Sequence, residues 1–186
     1  GLAGGSSDAA AALWAGNELW RLGLSRAELA ELGAELGSDV PFFLVGGAAI
    51  ARGRGEMLEA VSPLGPLYFV VVRPPQGLST AEVYRACHAA ERPRSVAPLI
   101  DALRRGATQQ IGRLLHNQLT PAAAGRSKWI HRLRDVFAGQ DVCGHQMSGS
   151  GTSYFGLCRN ARHARRVAAR LQGSGVGRVY AVRTSR

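Results

Sequence analysis

Gly1-Leu-Ala-Gly-Gly-Ser-Ser-Asp-Ala-Ala10 opens the chain and runs into an alanine-rich segment. Glycine adopts positive φ angles at no steric cost and lets a backbone approach a ligand closely. Ser6 or Ser7 is a suitable helix N-cap, and Asp8 would then stand in the first turn, where a carboxylate suits the helix dipole. We therefore predict a glycine loop that leads into a helix over residues 7–22.

This opening loop has two interpretations. The free N–H groups and partial positive charge of a helix N-terminus form an anion site, so backbone N–H groups and the hydroxyls of Ser6 and Ser7 would hold a phosphate. The loop has neither the lysine of a Walker A sequence nor the G-x-G-x-x-G spacing of a dinucleotide-binding turn. An ordinary Gly-rich turn that caps a helix would have the same sequence, so this stretch alone leaves both interpretations open.

Composition limits the class of protein. The 186 residues suit one domain or two small ones, 46% of them are hydrophobic, and no apolar run is long enough to cross a bilayer. The three cysteines, Cys87, Cys143 and Cys158, argue against a disulfide framework and favour a reducing cytoplasm. Cys143 and His145 would share a strand face, but no second pair completes a zinc site, so we predict no metal bound there.

The chain is strongly basic, with a net charge of +10, and among its 23 basic residues only Lys128 is a lysine. A basic surface suits nucleic acid or polyanionic small molecules, although codon usage could also produce the arginine excess. An RNA-binding sheet needs exposed aromatic residues on its strands, and segments 67–72 and 154–158 lack that pattern. We predict no nucleic-acid partner. The basic helix around His163, Arg165, Arg166 and Arg170 is most simply a solvated face, with phosphate binding as the alternative.

A cluster of Pro63, Gly65 and Pro66 is typical of a linker. We expect it to divide the chain into domains at residues 1–62 and 63–186. The pattern of both parts predicts an α+β protein.

The first part continues with a second helix and a hairpin. Ser25-Arg-Ala-Glu28 is a capping box that opens a helix, and Gly37 ends it. Residues 46–53 and 57–61 read as two strands that pair across a glycine turn.

The second part has the order β, α with extra helices, β, β, α, β, which is the ferredoxin-like arrangement. We predict a helix break at Gly125. The predicted strands cover residues 67–72, 141–147, 153–158 and 176–182, and the predicted helices cover 79–90, 96–105, 107–116, 119–138 and 160–172.

Asp39 is the best candidate for a general base. It lies between Gly37 and Pro41 in a predicted loop. A general base needs a carboxylate within about 3 Å of the proton that it accepts. A helix N-cap would have the same local sequence, so both roles stay open.

Met147-Ser-Gly-Ser-Gly-Thr-Ser153 is a second glycine–serine turn, between two predicted strands. Its small residues Gly149, Ser150 and Gly151 allow close approach to a phosphate, but a plain hairpin connection would look similar. Tyr84 stands one turn inside a predicted helix, where it either packs in the core or stacks on a base.

Three segments in this order, 1–10, 37–41 and 147–151, together resemble the second motif, the catalytic-aspartate segment and the third motif of the GHMP small-molecule kinases. Segments 77–84 and 117–123 strengthen the resemblance to members that act on a cytidine diphosphate-linked acceptor. The resemblance spans essentially the whole chain. It implies a two-domain kinase, with the first part of the chain in the ATP-binding domain.

The resemblance further implies ATP-dependent phosphorylation of the 2-hydroxyl of cytidine diphosphate-linked methylerythritol, in isoprenoid biosynthesis, with homoserine, mevalonate or a sugar as alternative acceptors. Asp39 would accept or orient the hydroxyl proton. Mg²⁺ is expected with ATP, and Ser6 and Ser7 are its candidate ligands. The residues implied for the ATP phosphates are Gly1, Leu2, Ala3, Gly4, Gly5, Ser6 and Ser7, and those implied for the substrate are Thr80, Tyr84, Gly149, Ser150 and Gly151.

The chain departs from the family pattern in several places. Ala3 stands where the family often has glycine, and Thr152 stands where it often has proline. The family's N-terminal strand carries a lysine near the catalytic aspartate, and Lys128, in a predicted helix, is a poor substitute. We expect sequence upstream of Gly1 in the complete protein, and little or no kinase activity from residues 1–186 alone.

Overall fold

The computed structural model describes residues 2–61 and 64–184, so Gly1 and Pro63 lie outside the described residues. The chain separates into two compact units, an amino-terminal unit that runs from Ala3 to Leu64 and a carboxy-terminal unit that begins at Gly65.

The amino-terminal unit consists of three helices followed by a two-stranded hairpin. Its elements are α1 (Gly4–Leu19), α2 (Arg26–Leu36), α3 (Val40–Val45), β1 (Ala48–Arg52) and β2 (Met57–Val61).

The local signals of this unit decide where α2 and the hairpin form. The Ser25 hydroxyl accepts from the Glu28 N–H, and the Glu28 carboxylate accepts from the Ser25 N–H, so the predicted capping box is confirmed. β1 and β2 pair antiparallel from Ala48 opposite Val61 onward, which confirms the predicted hairpin.

Helix α1 ends earlier than residue 22, the predicted end. It stops at Leu19 because Arg21 takes a left-handed conformation with φ 51°. The Asn17 side chain then holds the returning chain, with its amide oxygen accepting from the Leu24 N–H and its amide nitrogen donating to the Leu24 carbonyl. Trp20, just past the helix end, is 70% exposed.

The core of this unit joins its three helices. Ala10 of α1, Leu29 of α2, and Val40 and Leu44 of α3 form one buried cluster. The short helix α3 is therefore held against α1 and α2 by apolar burial, which is the main favourable contribution to folding.

The carboxy-terminal unit alternates strands and helices. Its elements are β3 (Tyr68–Arg73), α4 (Thr80–Arg85), α5 (Ala97–Arg104), α6 (Thr108–Leu114), α7 (Thr120–Ala124), α8 (Lys128–Ala138), β4 (Gly144–Met147), β5 (Tyr154–Cys158), α9 (Ala161–Gln172) and β6 (Arg178–Arg183).

The four strands of this unit form one antiparallel sheet in the order β4-β5-β3-β6. The two strands that are neighbours in sequence, β4 and β5, lie side by side, and β3 lies between β5 and β6. This is the ferredoxin-like order, so the predicted topology and the α+β class are confirmed. The predicted break near Gly125 is also found, since α7 ends at Ala124 and α8 begins at Lys128.

Helices cover both faces of this sheet. Val70 and Val72 of β3 are fully buried in a cluster with Leu133 of α8 and Val167 of α9. Strand side chains alternate between faces, and Leu157 of β5 joins the second cluster, with residues of α5 and α6.

Helix α6 approaches β4 backbone to backbone. A Cβ atom at Gly112 would lie only 2.8 Å from the Gly144 nitrogen and closer still to the Cys143 carbonyl. Glycine is therefore required at this crossing.

Within the described residues, no helix combines the length and the apolar character needed to cross a membrane.

Candidate phosphate and substrate site

The opening helix begins at Gly4, three residues earlier than we predicted. Ala3 is the residue before it, in a left-handed conformation with φ 47°, and no side chain caps the helix. The Ser7 N–H already donates to the Ala3 carbonyl over 3.0 Å, which makes Ser7 part of the helix. The prediction of Ser6 or Ser7 as N-cap is therefore wrong, because the left-handed turn at Ala3 enters the helix without a serine cap.

This early start leaves the first helical N–H groups open. Within residues 2–61 and 64–184, the N–H groups of Gly4, Gly5 and Ser6 have no backbone acceptor, as is usual for the first residues of a helix. Nothing lies within 4 Å of where a Cβ atom would stand at Gly4 or Gly5, and both glycines are exposed. This arrangement has the donors and the free space that a phosphate group requires.

Asp8 does not stand in the first turn. The first turn of α1 contains no acidic residue, and Asp8 is exposed one residue further on. The expected carboxylate at the helix start is therefore absent, which leaves the positive end of the helix dipole to an external anion.

Asp39 lies at the residue before α3, which is the N-cap position, but its side chain makes no capping hydrogen bond. The residue is exposed, so its carboxylate is open to a ligand. The N-cap role left open by the sequence has no side-chain bond to support it, and the general-base role stays a prediction.

The turn of the β1–β2 hairpin comes close to this aspartate. Gly55 has φ 121°, and a Cβ atom there would lie 3.5 Å from the Asp39 Oδ1 and 3.4 Å from the Ser38 carbonyl. The Glu56 carboxylate stiffens the turn by accepting from the Arg54 N–H over 2.8 Å. Bonds from the Glu56 and Arg54 backbone N–H groups lower the pKa of Glu56. Sequence reasoning identified this turn only as a hairpin connection.

The second glycine–serine turn lies in the carboxy-terminal unit, together with Thr80. The Thr80 and Ser150 hydroxyls are 2.9 Å apart, although 70 residues separate them. The Thr152 hydroxyl donates to the Gln76 carbonyl over 2.6 Å. The structure therefore joins two of the predicted substrate residues, Thr80 and Ser150, in one hydrogen-bonded pair.

Tyr84 is not a core residue. It lies on α4, which Ser79 caps through the Glu82 N–H, and its side chain is 60% exposed. Helix α4 ends at Arg85 rather than at the predicted residue 90. The exposed ring leaves the base-stacking interpretation open.

Cys143 is buried in the core and His145 is half-buried beside it. His145 Nδ1 lies 3.0 Å from the Tyr154 hydroxyl, and its ring stacks on Phe137. Burial lowers the pKa of His145 and raises the pKa of Tyr154 to about 12. The described residues hold no group of three or more His, Cys, Asp or Glu side chains that could bind a metal ion.

The basic helix α9 is only partly a solvated face. Arg165 and Arg166 are exposed, but His163 is buried, which corrects its predicted place on that face. The Asp141 carboxylate accepts from Arg159 and lies 3.5 Å from Arg166. Asp141 therefore forms ion pairs with Arg159 and Arg166.

Comparison with known proteins identifies the class. The family description "GHMP kinases N terminal domain" matches residues 1–47, and "GHMP kinases C terminal" matches residues 99–177. The chain belongs to the GHMP kinase family.

The relatives narrow this class further. The chain is 45% identical over 174 residues to the 4-diphosphocytidyl-2-C-methyl-D-erythritol kinase of Pelotomaculum thermopropionicum, covering 92% of this chain and 61% of that protein. It is 43% identical to the enzyme of the same name from Shouchella clausii, covering 100% and 63%. A crystal structure of 4-(cytidine 5'-diphospho)-2C-methyl-D-erythritol kinase superposes with a TM-score of 0.83 at 35% identity, covering 98% and 65%. The chain thus spans less than two thirds of the length of these relatives.

Proposed function

We propose that this chain carries the phosphate-binding helix and the base of a kinase that transfers a phosphoryl group from ATP to the 2-hydroxyl of 4-diphosphocytidyl-2-C-methyl-D-erythritol. The observation that supports this most is the uncapped start of α1, with open N–H groups at Gly4 and Gly5. Asp39 lies in the same unit, just before helix α3, which packs against α1, and its carboxylate makes no capping hydrogen bond. The relatives' shared name supports the choice of acceptor.

Phosphoryl transfer depends mainly on positioning and on stabilising charge. Asp39 would orient the acceptor hydroxyl and take its proton as the new O–P bond forms. The N–H groups at the start of α1 would hold the phosphate oxygens, where charge develops during transfer. Among the described residues, the start of α1 has no side-chain cap and the Asp39 side chain makes no capping hydrogen bond.

The carboxy-terminal unit would hold the cytidine end of the acceptor. The exposed ring of Tyr84 suits stacking on the cytosine. The Thr80–Ser150 hydroxyl pair and the small residues Gly149 and Gly151 would line the remainder of the site.

Mg²⁺ would be needed with ATP. Hard divalent cations at such sites are held largely by substrate phosphates and water, with few protein ligands. Ser6 and Ser7 are the candidate hydroxyl ligands, and both are half-buried in the first turns of α1. ATP would then supply most of the ion's ligands.

The decisive variant is Asp39→Asn, measured in a chain extended to the length of the relatives. Because general-base catalysis contributes about 10²–10⁴-fold, we expect kcat to fall by at least about 100-fold. Asp8→Asn is the matched control, since it removes another exposed carboxylate of the same unit, and it should change kcat less than about twofold. A loss below about tenfold in Asp39→Asn removes Asp39 from the base role.

The acceptor is tested separately, with labelled ATP and a panel of alcohols. The proposal expects transfer to the cytidine diphosphate-linked methylerythritol, and preferential transfer to homoserine, mevalonate or a sugar would replace it. Residues 1–186 alone should show little activity, and a rate equal to that of the longer chain would overturn that expectation. The three free thiols suit the reducing cytoplasm that we propose as its location.

A further inference from the structure

Asn117, which lies in the loop after α6, makes three hydrogen bonds at the second glycine–serine turn. Its amide nitrogen donates to the Met147 carbonyl over 3.0 Å and to the Gly149 carbonyl over 2.8 Å. Its amide oxygen accepts from the Leu119 N–H over 2.8 Å. These bonds use three of the four hydrogen-bonding positions of the amide group.

The chemistry of the three partners sets the orientation of the Asn117 amide. Carbonyl oxygens only accept, so the NH₂ group must face Met147 and Gly149. The Leu119 N–H only donates, so the amide oxygen must face it. A flipped amide would place oxygen against oxygen on one side and two N–H donors against each other on the other.

These bonds change which groups the turn offers to a ligand. The carbonyls of Met147 and Gly149 are taken by Asn117, and the Ser148 carbonyl accepts from the Gly151 N–H over 3.0 Å. Three successive carbonyls are therefore engaged. Within the described ranges 2–61 and 64–184, the N–H groups of Gly149 and Ser150 have no such partner.

We propose that Asn117 is the positioning residue of the second turn. By engaging the carbonyls of Met147 and Gly149, it fixes the turn so that the N–H groups of Gly149 and Ser150 remain available to an anionic group of the bound substrates. This inference rests on the proposed function, because it takes those substrates to be phosphate-bearing. Asn117 touches the turn and acts through it.

The fold fixes the positions of both the loop that contains Asn117 and the turn that Asn117 binds. Asn117 follows α6, whose Gly112 lies against the backbone of Cys143 just before β4. Strand β4 then ends at Met147, where the turn begins. The helix that precedes Asn117 and the strand that leads into the turn are thus in direct contact.

Asn117→Asp tests the two donors with almost no change of shape. The carboxylate can still accept from the Leu119 N–H, but its second oxygen faces the carbonyls of Met147 and Gly149 and repels them. Asn160→Asp is the matched control, because Asn160 caps α9 by accepting from the His163 N–H, which a carboxylate does equally well.

Kinetics are measured in a chain extended to the relatives' length. Because donors aimed at developing charge act mainly in the transition state, we expect Asn117→Asp to lower kcat by about 30-fold or more, with each KM changed less than about threefold. Asn160→Asp should keep kcat within about twofold. A normal kcat in folded Asn117→Asp overturns the proposal. If that variant does not fold, Asn117→Ala decides: a loss of at least about tenfold in kcat supports the proposal and a normal kcat overturns it.

Nuclear magnetic resonance separates this inference from the proposed function. In the 186-residue chain without ligand, Asn117→Asp should shift the amide signals of Gly149 and Ser150, and Asn160→Asp should not. Titration with cytidine 5'-diphosphate should move the same two signals in the wild type, and the ligand concentration needed should change less than about threefold in Asn117→Asp, as for KM. If no acceptor is phosphorylated but these signals behave as expected, the proposed kinase function fails, whereas the positioning role of Asn117 is supported. Unchanged Gly149 and Ser150 signals in Asn117→Asp would overturn the positioning role of Asn117.

Discussion

The two glycine–serine turns are built in different ways. The first, around Gly4 and Gly5, is formed by backbone alone, since a left-handed residue starts a helix that no side chain caps. The second, from Ser148 to Ser153, is held by side chains from distant parts of the chain, including Asn117 and Thr80. A short sequence can therefore specify the first turn, whereas the second needs a completed fold.

The largest effect should come from removing the support of the second turn. Gly112→Ala places a methyl group inside the backbone of Cys143 and Gly144, so α6 must move away from β4. We expect a loss of about 3–5 kcal/mol in the free energy of unfolding, measured with urea. Gly5→Ala is the matched control at the first turn, where the space is open, and it should cause no loss. Equal stabilities of the two variants would show that the α6–β4 contact adjusts freely.

A smaller effect should follow from removing one side-chain contact of the second turn. Thr152→Val loses the 2.6 Å hydrogen bond to the Gln76 carbonyl while keeping the residue's shape. Because the buried hydroxyl is well paired, we expect a loss of about 1–2 kcal/mol by urea unfolding. Thr108→Val is the control, since the Thr108 hydroxyl makes only a 3.4 Å contact with the Gly106 carbonyl, and it should cost less than about 0.5 kcal/mol.

At the first turn, a substitution that relieves backbone strain should raise the free energy of unfolding, whereas the two substitutions above lower it. Ala3→Gly relieves a left-handed conformation that L-residues adopt at a cost of about 1–2 kcal/mol, so we expect a gain of about 1 kcal/mol. The same substitution at Ala15, exposed within α1, should instead lose about 1 kcal/mol because glycine disfavours a helix. A loss of stability in Ala3→Gly would contradict the backbone account of this turn.

Lowering the pH should reduce the stability of the sheet and helix next to the second turn more than that of α1. Burial lowers the pKa of His145 on β4 and of His163 on α9, so the unfolded chain binds more protons than the native state below about pH 6.5. Stability should therefore fall as the pH drops from about 7 to 5. Amide hydrogen exchange, corrected for its intrinsic pH dependence, should show larger loss of protection at Gly156 of β5 than in α1. His145→Asn should reduce this difference, and an unchanged pH dependence would exclude His145 as its source.

Local signals predicted much of this fold. The Ser25–Glu28 capping box, the hairpin of β1 and β2, and the break near Gly125 all depend on residues close together in sequence. The start of α1 was misplaced because Ala3 enters the helix through backbone geometry, while the serines suggested a side-chain cap.

The candidate site was less accessible to sequence reasoning. Thr80 and Ser150 were each predicted as substrate residues from the family resemblance, but their contact joins positions 70 residues apart, and no local pattern encodes it. The approach of Gly55 to Asp39 depends on how a hairpin folds back onto α3. His163 was placed on a solvated face because its neighbours are arginines, although the helix turns it inward.

The hydroxyl pair of Thr80 and Ser150 also has a consequence for biosynthesis. At ribosomal rates of about 5–20 residues per second, roughly 4–14 s separate the synthesis of these two residues. The first turn can form while the chain is still being translated, because helix α1 packs against α2 and α3, which directly follow it in the sequence. The second turn needs residues from both ends of a 70-residue span, so nascent chains arrested before residue 150 would contain the first glycine–serine turn without the second.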